Sequence, residues 1–156
     1  MKKSLIPFGN GDNPSGHGTW LDLEKVAAVE LSSEDPRHQF EATLDPSKTD
    51  GWKASVPGPQ LLRILFHNPQ AVSRIHLEFR EESVERSQEF AIFVTTASDA
   101  KHELVRQQWS FSPQGSTTEI EDYSWNLQAV TVIEIEIDPG RHNKNVFASL
   151  RRIQVG

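Results

Sequence analysis

The sequence predicts an all-β chain folded as a two-sheet antiparallel sandwich of the jelly-roll kind. Three observations carry that expectation. From Val132 to Asp138 apolar and acidic residues alternate without a break. Ile133, Ile135 and Ile137 point one way, and Glu134, Glu136 and Asp138 the other, as in a strand with one dry and one wet face. The pattern recurs in about eight to ten short runs, with turn signals roughly every 8–12 residues. No long apolar stripe at helical spacing interrupts them. Sheets with one dry face must bury those faces against each other, and a sandwich is the natural solution.

Residues 1–19, rich in Gly, Pro, Asn and Asp from Pro7 to Gly18, read as a flexible lead-in, which leaves 20–156 as one domain. The glycines do not form a phosphate cradle, because no strand precedes them and no Lys-Ser/Thr helix start follows. Trp20 to Leu31 reads as a first strand region with a helical turn ahead of it. Arg37 to Leu44 alternates and reads as a second strand, followed by a loop through Asp45, Pro46, Asp50 and Gly51. Trp52 to Val56 is short and extended, and Pro57-Gly58-Pro59 is a turn. Leu61 to Phe66 and Ile75 to Phe79 read as two strands joined by a turn at Asn68-Pro69. Glu81 to Ser87 is a charged connection. Strands follow around Phe90 to Val94, over Leu104 to Phe111, over Thr117 to Tyr123 and over Ala129 to Asp138. Pro139 to Asn145 is a polar loop, and Phe147 to Val155 closes the domain.

Composition removes several function classes. A chain of 156 residues holds one sizeable core. Its formal net charge of −6 opposes a grip on nucleic acid, which requires clustered Lys and Arg. Arg151 and Arg152 lie on opposite faces of a strand and make no patch. No apolar stretch reaches the length of a membrane span. The lack of cysteine excludes disulfides, thiolate nucleophiles and Cys-based zinc sites. The chain opens Met1-Lys2-Lys3 like a signal peptide, but Gly9 to Asp12 cut off the apolar part before an h-region forms, so a cytoplasmic location is the expectation.

Several segments together resemble one family. Val29-Glu30-Leu31-Ser32-Ser33-Glu34 is similar to an opening strand and its Ser-Ser turn. Leu44-Asp45 with Gly51-Trp52-Lys53-Ala54-Ser55, Gly58-Pro59-Gln60-Leu61-Leu62, Asn68 to Ile75 and the closing Phe147 to Val155 follow in the matching order. Over roughly residues 26 to 155 the chain resembles the discoidin, or coagulation factor 5/8 type C, group of galactose-binding-domain-like jelly rolls. Without the paired cysteines of the animal members, it looks like the bacterial carbohydrate-binding branch. The resemblance implies a non-catalytic, lectin-like module that binds glycans, lipid head groups or proteins through loops at one end of the sandwich. It also implies a structural Ca2+ in some members, held by a carboxylate in the closing strand, near whose place Arg152 stands here. The loop from Asp45 to Gly51 offers Asp45, Thr49, Asp50 and backbone carbonyls, which suit a hard cation. Without the closing carboxylate such binding is expected to be weak.

Sugar recognition needs planar donors and acceptors for vicinal hydroxyls and an aromatic face for the C–H side of the ring. Arg141, His142, Asn143 and Asn145 supply the first. Phe147 either supplies the second or packs in the core. Trp52 is a further candidate for stacking, although the resemblance favours a packed tryptophan there, and at least one of Trp20, Trp109 and Trp125 is expected to line a groove. The histidines show no convergent spacing for a metal. Glu119 and Glu121 share a strand face as an acid/base pair would, but read as exposed decoration. No serine sits in a nucleophile elbow, so no enzyme is expected. The partner expected is a glycan or glycoconjugate, engaged through several copies, with a homo-oligomer as one route. The alternative is an intracellular protein-interaction or assembly module with a protein partner.

Overall fold

The computed structural model describes residues 20–156; the lead-in expected over 1–19 lies outside the described residues. A single helical turn, α1 (Leu23–Val26), runs into β1 (Ala27–Leu31). Then come β2 (Trp52–Lys53), β3 (Gln60–Arg80), β4 (Arg86–Thr96), β5 (His102–Phe111), β6 (Thr118–Asp138), β7 (Ser149–Leu150) and β8 (Arg152–Val155). All pairings are antiparallel.

The two long strands build both layers. The first half of β3 pairs with β1 and with the second half of β6, which continues to β4 and β5. The second half of β3 pairs with β8 and with the first half of β6. Between these halves the β3–β6 ladder loses register from Leu65 to Arg74. Here His67, Asn68 and Pro69 bulge outward to solvent, and Ala129 takes a φ of +55°, a left-handed conformation uncommon outside glycine. The ladder therefore folds over on itself. Phe79 of one layer meets Phe90 of the other with ring centroids 5.1 Å apart. Leu62, Ile64, Ile75, Leu77, Ile92, Ile133, Ile135, Ile137 and Ile153 share one core.

The inward rows of β3, β4 and the second half of β6 are those the alternation indicates, and the boundaries need four corrections. Arg37–Leu44 is not a strand but turns leading into a 3₁₀ helix, Phe40–Thr43. Its two buried residues, Phe40 and Thr43, are three apart, the repeat of a 3₁₀ turn. Glu34 accepts the Phe40 amide at 2.7 Å, and the Thr43 hydroxyl donates to the Phe40 carbonyl at 2.6 Å. Asn68-Pro69 does not reverse the chain. Pro69, with no N–H to give a ladder, sits in the unpaired bulge, where a proline costs no hydrogen bond. The segments 117–123 and 129–138 are one bent strand, β6, rather than two. The closing segment is split at Arg151, whose amide turns to the Glu78 carbonyl at 2.8 Å.

Glu134 departs from its expected wet face. It points outward but is only 7% exposed, covered by Arg63 at 3.0 Å and Lys101 at 2.7 Å.

Candidate functional site

One end of the sandwich carries a recess of about 380 Å³. Its walls are the 49–53 loop, the 80–84 connection between β3 and β4, and the 145–149 segment before β7. Sequence-distant segments meet here because antiparallel ladders return the ends of successive strands to the same rim.

The 145–149 wall is built by alternation. Val146 and Ala148 are buried, at 7% and 0% exposure, so Phe147 between them is turned outward and is 47% exposed. The Gly58 amide holds the Val146 carbonyl and the Ala54 amide holds the Ala148 carbonyl, both at 3.0 Å. Phe147 therefore supplies an aromatic face to the recess and does not pack in the core. Exposed Val84 lies on another wall.

The 80–84 wall is organised by one carboxylate. Glu81 Oε2 accepts the amides of Ser83 and Val84 at 3.2 and 3.3 Å, and its Oε1 accepts Arg86 Nε at 2.8 Å. Burial works against its charge, but Arg86 and the Ser83 donors outweigh burial and hold the carboxyl below its ordinary range.

The 49–53 wall turns on Gly51. Its φ of +69° is left-handed, and a Cβ there would strike the Leu150 carbonyl and the Arg151 backbone. Trp52 next to it is fully buried, and its indole N–H donates to the Ser33 carbonyl at 3.1 Å. The proposal of Trp52 as a stacking residue is thus corrected: the indole is core.

Of the candidates named from the sequence, the recess unites Thr49, Asp50, Asn145 and Phe147, without Arg141, His142 or Asn143. Arg141 turns the other way. Its Nε lies 3.4 Å from Glu89 and its Nη1 donates to Gln108 at 3.3 Å, fastening it to β4 and β5. His142 and Asn143 are exposed off the recess, and the Asn143 side chain caps the Asn145 amide at 2.9 Å. Trp20 lies under the Arg74 guanidinium at 4.7 Å, while Trp109 and Trp125 are half-buried against the core; none lines the recess. Sequence reading missed Lys53, Arg80, Ser83, Val84 and Arg151. The one local signal was a lone apolar residue, Val84, in an otherwise charged connection.

Charge in the recess is largely self-neutralised. Arg80 pairs with Glu82 at 3.1 Å, Arg151 with Glu78 at 3.0 Å, and Glu81 with Arg86. Among the described residues, Asp50 and Lys53 are in no ion pair, which leaves one acceptor and one donor free beside Phe147.

Of the cation-binding residues expected in this loop, Asp45 is engaged by its neighbours. Asp45 Oδ1 is taken by the Ser47 amide and hydroxyl at 2.9 and 2.7 Å; these bonds hold its carboxyl below the ordinary range. Arg152 Nη2 donates to the Pro46 carbonyl and Arg151 Nε to the Thr49 carbonyl, both at 3.2 Å. Guanidinium donors thus tie the Pro46 and Thr49 carbonyls of this loop to the closing segment. No group of three His, Asp or Glu converges elsewhere among the described residues.

A second polar cluster lies inside the sandwich. Glu119 is fully buried, not exposed decoration; β6 bends its first half inward over β4. Its Oε1 accepts Gln88 Nε2 at 3.2 Å. Burial, then the neighbouring Glu121 carboxyl, push its pKa up to about 9.

No family model matches the chain, and no curated protein matches it by sequence. Solved structures do. A family 32 carbohydrate-binding module of Clostridium perfringens NanJ, in complex with galactose, superposes with a TM-score of 0.61 at 15% identity, covering 88% of this chain and 97% of that one. The fold is the galactose-binding-like jelly roll. CpGH89CBM32-5 from Clostridium perfringens, in complex with GalNAc-β-1,3-galactose, superposes with a TM-score of 0.61 at 14% identity, covering 88% and 99%. The family 32 module of AlyQ, in complex with 4,5-unsaturated mannuronic acid, gives 0.55 at 20% identity, covering 88% and 98%. Each of these matches extends over nearly the whole of the module compared.

Proposed function

We propose that this chain is a non-catalytic module that binds carbohydrate in the recess between the 49–53, 80–84 and 145–149 segments. The carrying observation is Phe147, an aromatic ring turned outward by its buried neighbours and flanked by free polar groups. Its face takes the C–H side of a sugar ring. Asp50 accepts hydroxyl protons, and Lys53 and the Asn145 carboxamide donate to hydroxyl oxygens. Each such bond replaces one to water at small net gain, so single-site affinity is low and useful binding comes from several copies. The ligands of the superposed modules, galactose, a GalNAc-galactose disaccharide and an unsaturated mannuronic acid, support this reading.

The test is an amide-resolved NMR titration with galactose, N-acetylgalactosamine and mannuronate at millimolar concentration. At least one saccharide is expected to shift Asp50, Lys53, Asn145 and Phe147 selectively. Phe147→Ala should weaken that binding about tenfold or more while leaving the melting temperature near that of the parent. Absence of any site-selective shift would reject the proposal.

The same reading holds the 45–51 loop by Arg151 and Arg152 rather than by Ca2+. Excess EDTA and millimolar Ca2+ are therefore expected to leave the melting temperature unchanged, since a ligand stabilises only a state that binds it. A rise of several degrees with Ca2+ would show a cation displacing the guanidinium groups.

A further inference from the structure

Arg86 never reaches the recess, yet it touches one recess wall and the root of the loop that ends in another. Its guanidinium is 0% exposed. Nε donates to Glu81 Oε1 at 2.8 Å, and Glu81 organises the 80–84 wall. Nη1 donates to the Pro139 carbonyl at 2.9 Å, at the root of the loop that leads to Asn145 and Phe147. Nη1 also donates to Gln88 Oε1 at 3.0 Å, and Gln88 in turn donates to buried Glu119. The plane stacks 4.8 Å from the Phe111 ring. Around it stand one anion in direct contact, Glu81, and one acid a residue away, Glu119.

We infer that Arg86 is a positioning residue that couples the 80–84 wall to the 139–147 loop, so that the two move as one unit. The physical reason is the rigidity of guanidinium. Nε and Nη1 lie in one plane, so a shift of Glu81 that rotates the plane withdraws Nη1 from Pro139. Burial keeps water from replacing the lost bond. A lysine has a single ammonium and no such plane. That these walls form a sugar site rests on the proposal above; the coupling itself does not.

The test is native-state hydrogen exchange on the whole chain, without ligand. In the unmodified protein, the Ser83 and Val84 amides of the 80–84 wall and the Gly140 and Arg141 amides at the root of the 139–147 loop are expected to open with the same urea dependence, below the opening of the β3–β6 core. Different urea slopes for the two segments would overturn the coupling, and this arm needs no variant. Glu81→Gln, which contacts only the first wall directly, should also speed exchange at Gly140 and Arg141 by about threefold or more, with Ile64 and Ile135 unchanged. Acceleration confined to 81–84 would overturn the inference, as would equal acceleration in the core, which would mark a merely structural role. Arg86→Lys should loosen both segments together in the same way. Loss of the saccharide response with the coupling intact would remove the binding proposal alone.

Discussion

Trp52→Ala is expected to remove about 3–5 kcal/mol of stability, the range for emptying a buried aromatic site. Trp52 is fully buried and pairs with Leu150 across the short β2–β7 ladder. Truncation leaves a cavity beneath the 49–53 wall and deprives the Ser33 carbonyl of its indole donor. Against a total of about 5–15 kcal/mol for a domain, that is a large share. At roughly 2–4 °C per kcal/mol for a chain of this size, the melting temperature should fall by about 6–20 °C. Trp52→Phe keeps most of the packing and loses only the hydrogen bond, so about 1–2 kcal/mol is expected. Urea denaturation of the three proteins measures both. A loss below about 1 kcal/mol for the alanine variant is incompatible with a core tryptophan.

Glu119→Gln should change how stability depends on pH. In the folded chain burial and Glu121 lift the Glu119 pKa to about 9; unfolded, it returns to the ordinary carboxyl range near 4. Between these values the folded protein holds a proton that the unfolded chain has released. Unfolding stability therefore falls as pH rises across that window. The contribution of this residue is intact below the unfolded value and is lost on passing through about 9. Glutamine keeps a carbonyl for Gln88 and an N–H donor for Glu121 but never ionises. At pH near 9 the variant should exceed the parent by ~2 kcal/mol, or about 4–8 °C, discounted from the full shift because water reaches half-buried Glu121 alongside. Thermal melts of both proteins between about pH 5 and 9 decide it: parallel curves would mean that Glu119 is not held protonated. At the acid end the sign reverses. Glu78, Glu81, Asp122 and Glu134 have lowered values, and the stability they contribute is lost as pH falls through them.

The correction at Glu119 and the choice left open at Phe147 have one origin. Both sit in extended segments, and extended geometry states only that neighbours face opposite ways. For Ile133, Ile135 and Ile137 the apolar side chains name the dry face by themselves. Around Glu119 the inward row is Glu119, Glu121, Tyr123 and Trp125, a polar and aromatic set whose burial depends on the opposite layer. Around Phe147 three apolar residues in succession, Val146, Phe147 and Ala148, leave the facing undecided until the Gly58 and Ala54 amides pin Val146 and Ala148 inward. The Asn68-Pro69 error is of the same kind: the residues favour a break in the ladder, and only the partner strand decides between a bulge and a reversal. At Arg37–Leu44 a short alternation reads as a strand, and a 3₁₀ turn buries Phe40 and Thr43 instead.

Period-two chemistry by itself determined most of the architecture here: most of the strands, the dry rows of β3, β4 and the second half of β6, and that two such layers must close on each other. Side-chain chemistry marked Asn145 and Phe147 as suited to a sugar and Asp50 as suited to a cation. The tertiary structure alone decided which loops share a rim, that Arg141 turns to β4 while Lys53 and Val84 face the recess, and that Arg151 and Arg152 tie the 45–51 loop to the closing segment. The reason is range. A strand's facing is set by its immediate neighbours, whereas a site is set by where distant ladders begin and end, and no local spacing records that.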